Sequence, residues 1–363
     1  MMRLDLPQAR PDRGLGDAGA DAAAERGARM KRREFLASIG FGALVPAAAL
    51  AQPVGTSAWT LFDRIKPSTS TMAYSRDGRL IATGTGGIIR IWIAQTGEQI
   101  QEIVYNETPA EDVDALAFHP DGRQLLGGGT GPKHRNLRLW EIETGQELRR
   151  YEGLGIGPLS IAYNADASRI VAGGNDNTVR VWDALTGRQI MAHGAKGPMH
   201  FACFLGDGSR VLAAGLDLFV RIYDAETGLP TRTLAPTGAR YRCGALSPDG
   251  QLLALGGTRG AAYLFDLDSG AVLQRLVTGS GSVRALAFTP DGARLLTGDS
   301  GSDRSAVELW DVASGKRLWV QEQKISFGMG GVSTLALNPL GDSFAVSIFP
   351  EGVQIWPTPE AAQ

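Results

Sequence analysis

Apolar and polar residues alternate along most of the chain, in runs of only five or six. "VRALAF" (Val283 to Phe288), "ARLLTG" (Ala293 to Gly298), "VELWDV" (Val307 to Val312) and "RLWVQE" (Arg317 to Glu322) follow one another, each bounded by Gly, Pro or Asp. Successive side chains of a strand point to opposite faces, so a period of two over this length predicts short, half-buried β-strands. Four such strands form a unit, and the unit recurs. "LRLWEIETGQEL" (Leu137 to Leu148) returns 42 residues later as "VRVWDALTGRQI" (Val179 to Ile190). Alignment on the aromatic gives seven copies, at Trp92, Trp140, Trp182, Tyr223, Phe265, Trp310 and Trp356, with spacings of 48, 42, 41, 42, 45 and 46 residues. A repeat of this length is one supersecondary unit that cannot bury its apolar face alone and must stack on its neighbours.

Two turns punctuate each copy. Thr96-Gly97, Thr144-Gly145, Thr186-Gly187, Thr227-Gly228, Ser269-Gly270 and Ser314-Gly315 follow the aromatic, while copy seven has Pro357 and Pro359 instead. Asp77-Gly78, Asp121-Gly122, Asp207-Gly208, Asp249-Gly250 and Asp291-Gly292 lie upstream, with degenerate forms at Asp166-Ala167 and Pro339 to Gly341. A short hairpin loop with a bulge needs one residue at positive φ, which costs a residue bearing a Cβ about 1 to 2 kcal/mol, hence the glycine. The aromatic on the third strand is expected to wedge one sheet against the next.

These marks, "RIW", "RLWE", "RVWD", "RIYD", "LFD", "ELWD" and "QIW" behind proline-aspartate-glycine turns, resemble the WD-repeat β-propeller family over about residues 58 to 357. The resemblance implies an all-β, seven-bladed β-propeller of four-stranded antiparallel blades, and a platform for protein partners. One feature of the family is missing. No copy has the Gly-His pair that precedes the first strand in typical members, and the only histidines are His119, His134, His193 and His200.

Copy seven supplies three strands and then prolines, which cannot donate to a ladder. "AWTLFDRI" (Ala58 to Ile65) alternates ahead of copy one with no unit of its own. It is expected to pair with the third strand of copy seven, so that an N-terminal strand closes the ring in the last blade and removes an open edge. Residues 358–363 remain as a tail.

Ahead of the ring, "MKRREFLASIGFGALVPAAALAQ" (Met30 to Gln52) has a charged start, a modestly apolar middle and a small-residue site at Ala49 and Ala51, the anatomy of a secretory signal over residues 30–51. Arg32, Arg33, Phe35 and Leu36 are similar to the twin-arginine export signal of bacteria. Its apolar stretch is shorter than the roughly 20 residues a bilayer takes, so no membrane span is expected once the signal is removed. The expected location is the periplasm or beyond. Residues 1–29, rich in Ala, Gly, Arg and Asp, read as a disordered leader or a start assigned too early, with Met30 as the natural start.

Charge and chemistry change this picture little. The full chain carries 36 basic and 38 acidic residues, and residues 52–363 carry 28 and 32, too balanced for nucleic acid. Cys203 and Cys243 fall on innermost strands of adjacent copies but out of register, and read as two small buried residues rather than a bridge. "GLGIGP" (Gly153 to Pro158) precedes a strand, so no helix N-terminus is available there to cradle phosphate. Arg90, Arg138, Arg180 and Arg221 recur two residues before the aromatic and read as packed stems. His193 and His200 have no third metal ligand nearby.

No catalytic motif stands out and no cofactor is named, so the leading reading is an exported, monomeric interaction platform for an unidentified protein or peptide. Its candidate contacts are Lys133, His134 and Arg135 in the loop from Gly129 to Arg138, and Ile325, Phe327 and Met329 in "EQKISFGMGG" (Glu322 to Gly331). The alternative is a periplasmic cofactor- or metal-dependent propeller enzyme. "DVASGKRLW" (Asp311 to Trp319) resembles one repeat of the quinoprotein dehydrogenases, but the equivalents of Trp319 in the other copies are Gln101, Arg149, Met191, Arg232 and Gln274.

Overall fold

A computed structural model describes residues 59–60, 69–105, 112–129, 137–279, 281–301, 304–324, 331–349 and 351–359. Among them the alternating runs form seven four-stranded antiparallel sheets and no helix. Blade 1 consists of Thr71–Tyr74, Leu80–Thr85, Ile88–Ile93 and Gln99–Val104, from the innermost strand to the outer one. Blades 2 to 6 repeat that order over residues 113–151, 158–194, 199–233, 241–277 and 282–324. Innermost strands of consecutive blades touch, including those of blades 7 and 1. The sheets therefore close into a wheel.

Blade 7 draws Gly331–Leu337, Ser343–Phe349 and Gly352–Pro357 from the C-terminal end of the chain. Its outer strand is Trp59–Thr60, antiparallel to the third, with Trp59 opposite Ile355 and Thr60 opposite Gln354. The other residues of the expected closing segment, 58 and 61–65, lie outside the described residues. Two hydroxyls brace the seam: Ser333 Oγ and Ser347 Oγ donate to the Thr69 carbonyl at 3.1 and 3.3 Å. Of the C-terminal tail, Thr358 N donates to Asp342 O, and Arg294 reaches Pro359 O.

The core lies between blades. Every one of the seven aligned aromatics is buried, and each clusters with apolar residues of the blade before it. Trp140 joins Ile89 and Ile91 of blade 1. Trp182 joins Leu126 and Leu139 of blade 2, and Trp310 joins Leu264 of blade 5. Trp92 joins Val353 and Ile355 of blade 7, so the same wedge closes the ring.

A second bracket runs the opposite way, from the outer strand of four blades to the turn of the next. Gln101 Nε2 donates to Ile142 O at 3.0 Å, Arg149 Nη1 to Ala184 O at 3.1 Å, Arg232 Nη1 to Leu267 O at 2.8 Å and Gln274 Nε2 to Val312 O at 3.0 Å. Trp319 holds the same position in blade 6 and packs edge-on against Trp356, 6.1 Å between ring centroids. The turn glycines thus have two duties. Gly315 sits at φ 67°, and a Cβ there would stand 2.0 Å from Gln274 Oε1. Ala167 takes the degenerate turn at φ 59° and bears the left-handed cost that its glycine counterparts avoid.

Cys203 and Cys243 are free thiols, and burial pushes both up to about 12. The export-signal residues Arg32, Arg33, Phe35, Leu36, Ala49 and Ala51 lie outside the described residues.

Candidate functional site

The two faces of the wheel are built differently. On one face, the links between innermost and second strands and between third and outer strands hold five residues in nearly every blade, as at 75–79 and 94–98. These turns are locked alike. Asp249 Oδ1 accepts Gln251 N at 3.0 Å and the Ser247 hydroxyl at 2.6 Å, and Asp183 Oδ1 accepts Thr186 N and its hydroxyl, both at 2.7 Å. The hydroxyls, then the backbone N–H groups, hold both carboxyls below the usual range.

The opposite face is irregular. Links from second to third strand run from two residues (86–87) to seven (130–136), and links from outer strand to next blade from four (195–198) to eight (105–112). Both loops proposed for partner contact, with Lys133, His134 and Arg135, and with Ile325, Phe327 and Met329, leave strand ends on this face but lie outside the described residues. Ile156 and Phe219 are exposed on it, and the Arg221 guanidinium lies 4.3 Å from the Phe219 ring centroid.

An axial cavity of about 390 Å³ opens among the innermost strands, with lining residues from all seven blades. Its lining depends on a bulge. In six blades the ladder between the first two strands skips one residue near its start, at Asp114, Leu159, His200, Arg242, Arg284 and Ser333. A bulge leaves its extra residue unpaired and re-aims its side chain, and all six residues line the channel. Because the skip occurs where each innermost strand begins, these residues lie toward the irregular face. The channel wall at blades 5 and 6 is cationic, with Arg242 and Arg284. Desolvation first, then Arg242 and Arg284, pushes His200 down to about 4, so its imidazole is neutral at pH 7.

The arginines singled out in the sequence are elsewhere and are already engaged. Arg90 Nε donates to Glu102 at 2.8 Å, Arg138 Nη1 to Tyr105 O at 3.0 Å and Arg180 Nη1 to Gln189 at 2.8 Å, while Arg221 pairs with Asp217. His193, on an outer strand, packs on Tyr223 and does not converge with His200 in the channel. In the 153–158 loop, Gly155 N donates to Asp176 Oδ2 at 2.9 Å, so an acid already occupies the supposed anion cradle. Among the described residues no group of three or more His, Cys, Asp or Glu is placed to hold a metal, and no helix is long and apolar enough to cross a membrane.

One acid stands apart. Glu308 occupies in blade 6 the position that carries arginine in blades 1 to 4, and it is 1% exposed. Its carboxylate accepts from Arg317 Nη1 at 2.8 Å. Desolvation outweighs that partner and raises the carboxyl to about 7. Folding therefore gains at this site below its ordinary value of 4.5 and loses the gain as pH rises through about 7. Glu308→Gln is expected to remove this component, on the order of 1 to 3 kcal/mol. Melting temperatures of the variant and the parent should diverge between pH 5 and 7.5, the parent falling relative to the variant. Parallel curves would refute the assignment.

Three segments, residues 66–92, 146–183 and 271–311, match the WD domain, G-beta repeat family. Two of them begin on the outer strand of one blade and end on the third strand of the next. The sequence repeat is offset from the blade by one strand, which is why the first strand of the ring belongs to the last blade. The ring is a seven-bladed propeller, and over these segments it is similar to the WD-repeat propellers. Proteins similar to this chain include the serine-threonine kinase receptor-associated protein of Gallus gallus, 30% identical over 122 residues, 33% of each chain. Protein ROOT INITIATION DEFECTIVE 3 of Arabidopsis thaliana is 32% identical over 107 residues, 30% of this chain and 23% of that protein. Protein groucho of Drosophila melanogaster is 33% identical over 119 residues, 32% of this chain and 16% of that protein. The chain thus matches a third or less of each relative's length. The propeller lacks the family's Gly-His pair, yet two blades keep a tryptophan-to-hydroxyl bond inside the sheet. Trp92 Nε1 donates to Thr83 Oγ1 at 3.0 Å, and Trp310 Nε1 to Thr297 Oγ1 at 3.1 Å.

Of the bulge residues, only His200 is singled out by the sequence, and there as a possible metal ligand rather than a channel residue. A polar or charged residue near the start of an otherwise apolar innermost strand, as in "VDALAF", "MHFACF", "YRCGAL" and "VRALAF", was the available signal.

Proposed function

We propose that this propeller is a rigid platform that docks a protein or peptide partner on its irregular face, and that it works in the bacterial cell envelope after twin-arginine export. The observation that carries the docking reading is the asymmetry between the faces: one repeats a single locked turn, and the other gathers the variation in loop length. Variable loops on a rigid scaffold are where binding residues concentrate. The relative named as receptor-associated supports the reading by analogy. Export rests on Arg32 and Arg33 ahead of the apolar run and on the Ala49–Ala51 site.

One experiment in the native cell tests both parts. A photo-cross-linking amino acid at Ile156 or Phe219 should yield a discrete adduct in the envelope fraction, whereas the same group at Leu185 or Leu229, exposed on the turn face, should not. Arg32→Lys with Arg33→Lys should hold the protein in the cytoplasm. Equal adducts from both faces would overturn the docking reading, and unchanged export of the double variant would overturn the localisation.

A further inference from the structure

Two arginines in the axial channel stand side by side without a counter-charge. Arg242 and Arg284 are the bulge residues of neighbouring innermost strands, and both line the channel. Neither has an ion pair among the described residues, and Arg242 Nε is buried with no hydrogen-bond acceptor. The Ser160 hydroxyl, which lines the same cavity, is likewise buried without a partner. The one carboxylate in the lining, Asp114, belongs to blade 2, across the ring from blades 5 and 6. Desolvation, then the neighbouring Arg242, lowers the Arg284 guanidinium from its usual range, the signature of like charges held together. Elsewhere in the protein, arginines at recurring positions are matched to acids or carbonyls. A guanidinium nitrogen held away from any protein acceptor costs part of that group's desolvation, which an acceptor brought by a bound ligand would restore.

We propose that the wall formed by Arg242 and Arg284, with His200 beside them, binds a small dianion of the phosphate-monoester or dicarboxylate class. Guanidinium forks match the paired oxygens of either group, and the cavity falls within the roughly 300 to 1,000 Å³ of small-ligand sites. The site opens toward the irregular face, so a bound anion would sit beneath any docked partner. The proposal does not depend on the docking reading.

The test follows thermal unfolding of the full chain against increasing inorganic phosphate or succinate, with chloride at matched ionic strength as the control. Phosphate or succinate should raise the melting temperature saturably beyond chloride, as a ligand of the native state alone must. Response to one probe and not the other identifies the class. Arg284→Gln should weaken the response by at least about tenfold. Without anion that variant should melt at or above the parent, since it removes an unneutralised like charge. Two results would overturn the site: no response beyond chloride, or a variant that responds like the parent. A variant less stable than the parent in the absence of anion would also overturn it, because Arg284 would then be a structural prop.

Discussion

Trp182→Ala is expected to lower the unfolding free energy by about 3 to 5 kcal/mol, the range for truncating a fully buried large aromatic. The indole is 0% exposed and sits edge-on to Tyr151 at 6.4 Å between centroids. Its Nε1 donates to Glu152 O at 2.9 Å. It wedges blade 3 against Leu126, Leu137 and Leu139 of blade 2, so alanine would open a void inside an interface that both blades need. A lost wedge weakens the whole circle, because each blade of a closed ring is held from both sides. Urea unfolding measures the loss. Leu185→Ala, at a site 77% exposed on the turn face, should change stability by less than about 0.5 kcal/mol and serves as the control. Two variants within 1 kcal/mol of each other would remove the wedge from the account of this fold.

Removal of residues 1–65 should cost at least about 2 kcal/mol, at roughly 1 kcal/mol for each ladder hydrogen bond lost, and should make the protein aggregate with rising concentration. The reason is the pairing of Trp59–Thr60 with Gln354 and Ile355. Without it the third strand of blade 7 becomes a bare edge, offering unpaired N–H and C=O groups to any other chain. Deletion of residues 1–51 leaves that strand in place and should melt with the parent. Differential scanning calorimetry with light scattering distinguishes the two truncations. A 66–363 protein that melts like the parent and stays monomeric would show that the ring closes by other means.

Much of this architecture was legible because each rule behind it is local. A two-residue period marks strands, and positive-φ turns demand glycine. The φ values of Gly97, Gly145, Gly187, Gly228, Gly270 and Gly315, all between 67° and 76°, are those the hairpin reading required. The candidate site was much less legible. A bulge adds one residue to one strand and resets the alternation after it. "VRALAF" read at a strict period of two gives no reason to aim Arg284 at the axis, and the skipped partner between Val283 and Ala285 supplies that reason. The series Gln101, Arg149, Met191, Arg232 and Gln274 shared no side-chain chemistry and read only as mismatches to Trp319. The structure shows four of them reaching carbonyls of the next blade's turn, and Met191 packing under Gly228.

The sequence alone determined the seven repeats, their four strands, the turn glycines and the aromatic wedges, since these follow from periodicity and from constraints within one repeat, and it pointed to the borrowed closing strand by leaving copy seven one strand short. Tertiary structure decided what the blades make together. Seven innermost strands, drawn from positions hundreds of residues apart, surround one axis and bring Arg242, Arg284 and His200 to one wall. Desolvation and the crowding of like charge arise only once those strands meet, and no single repeat contains them.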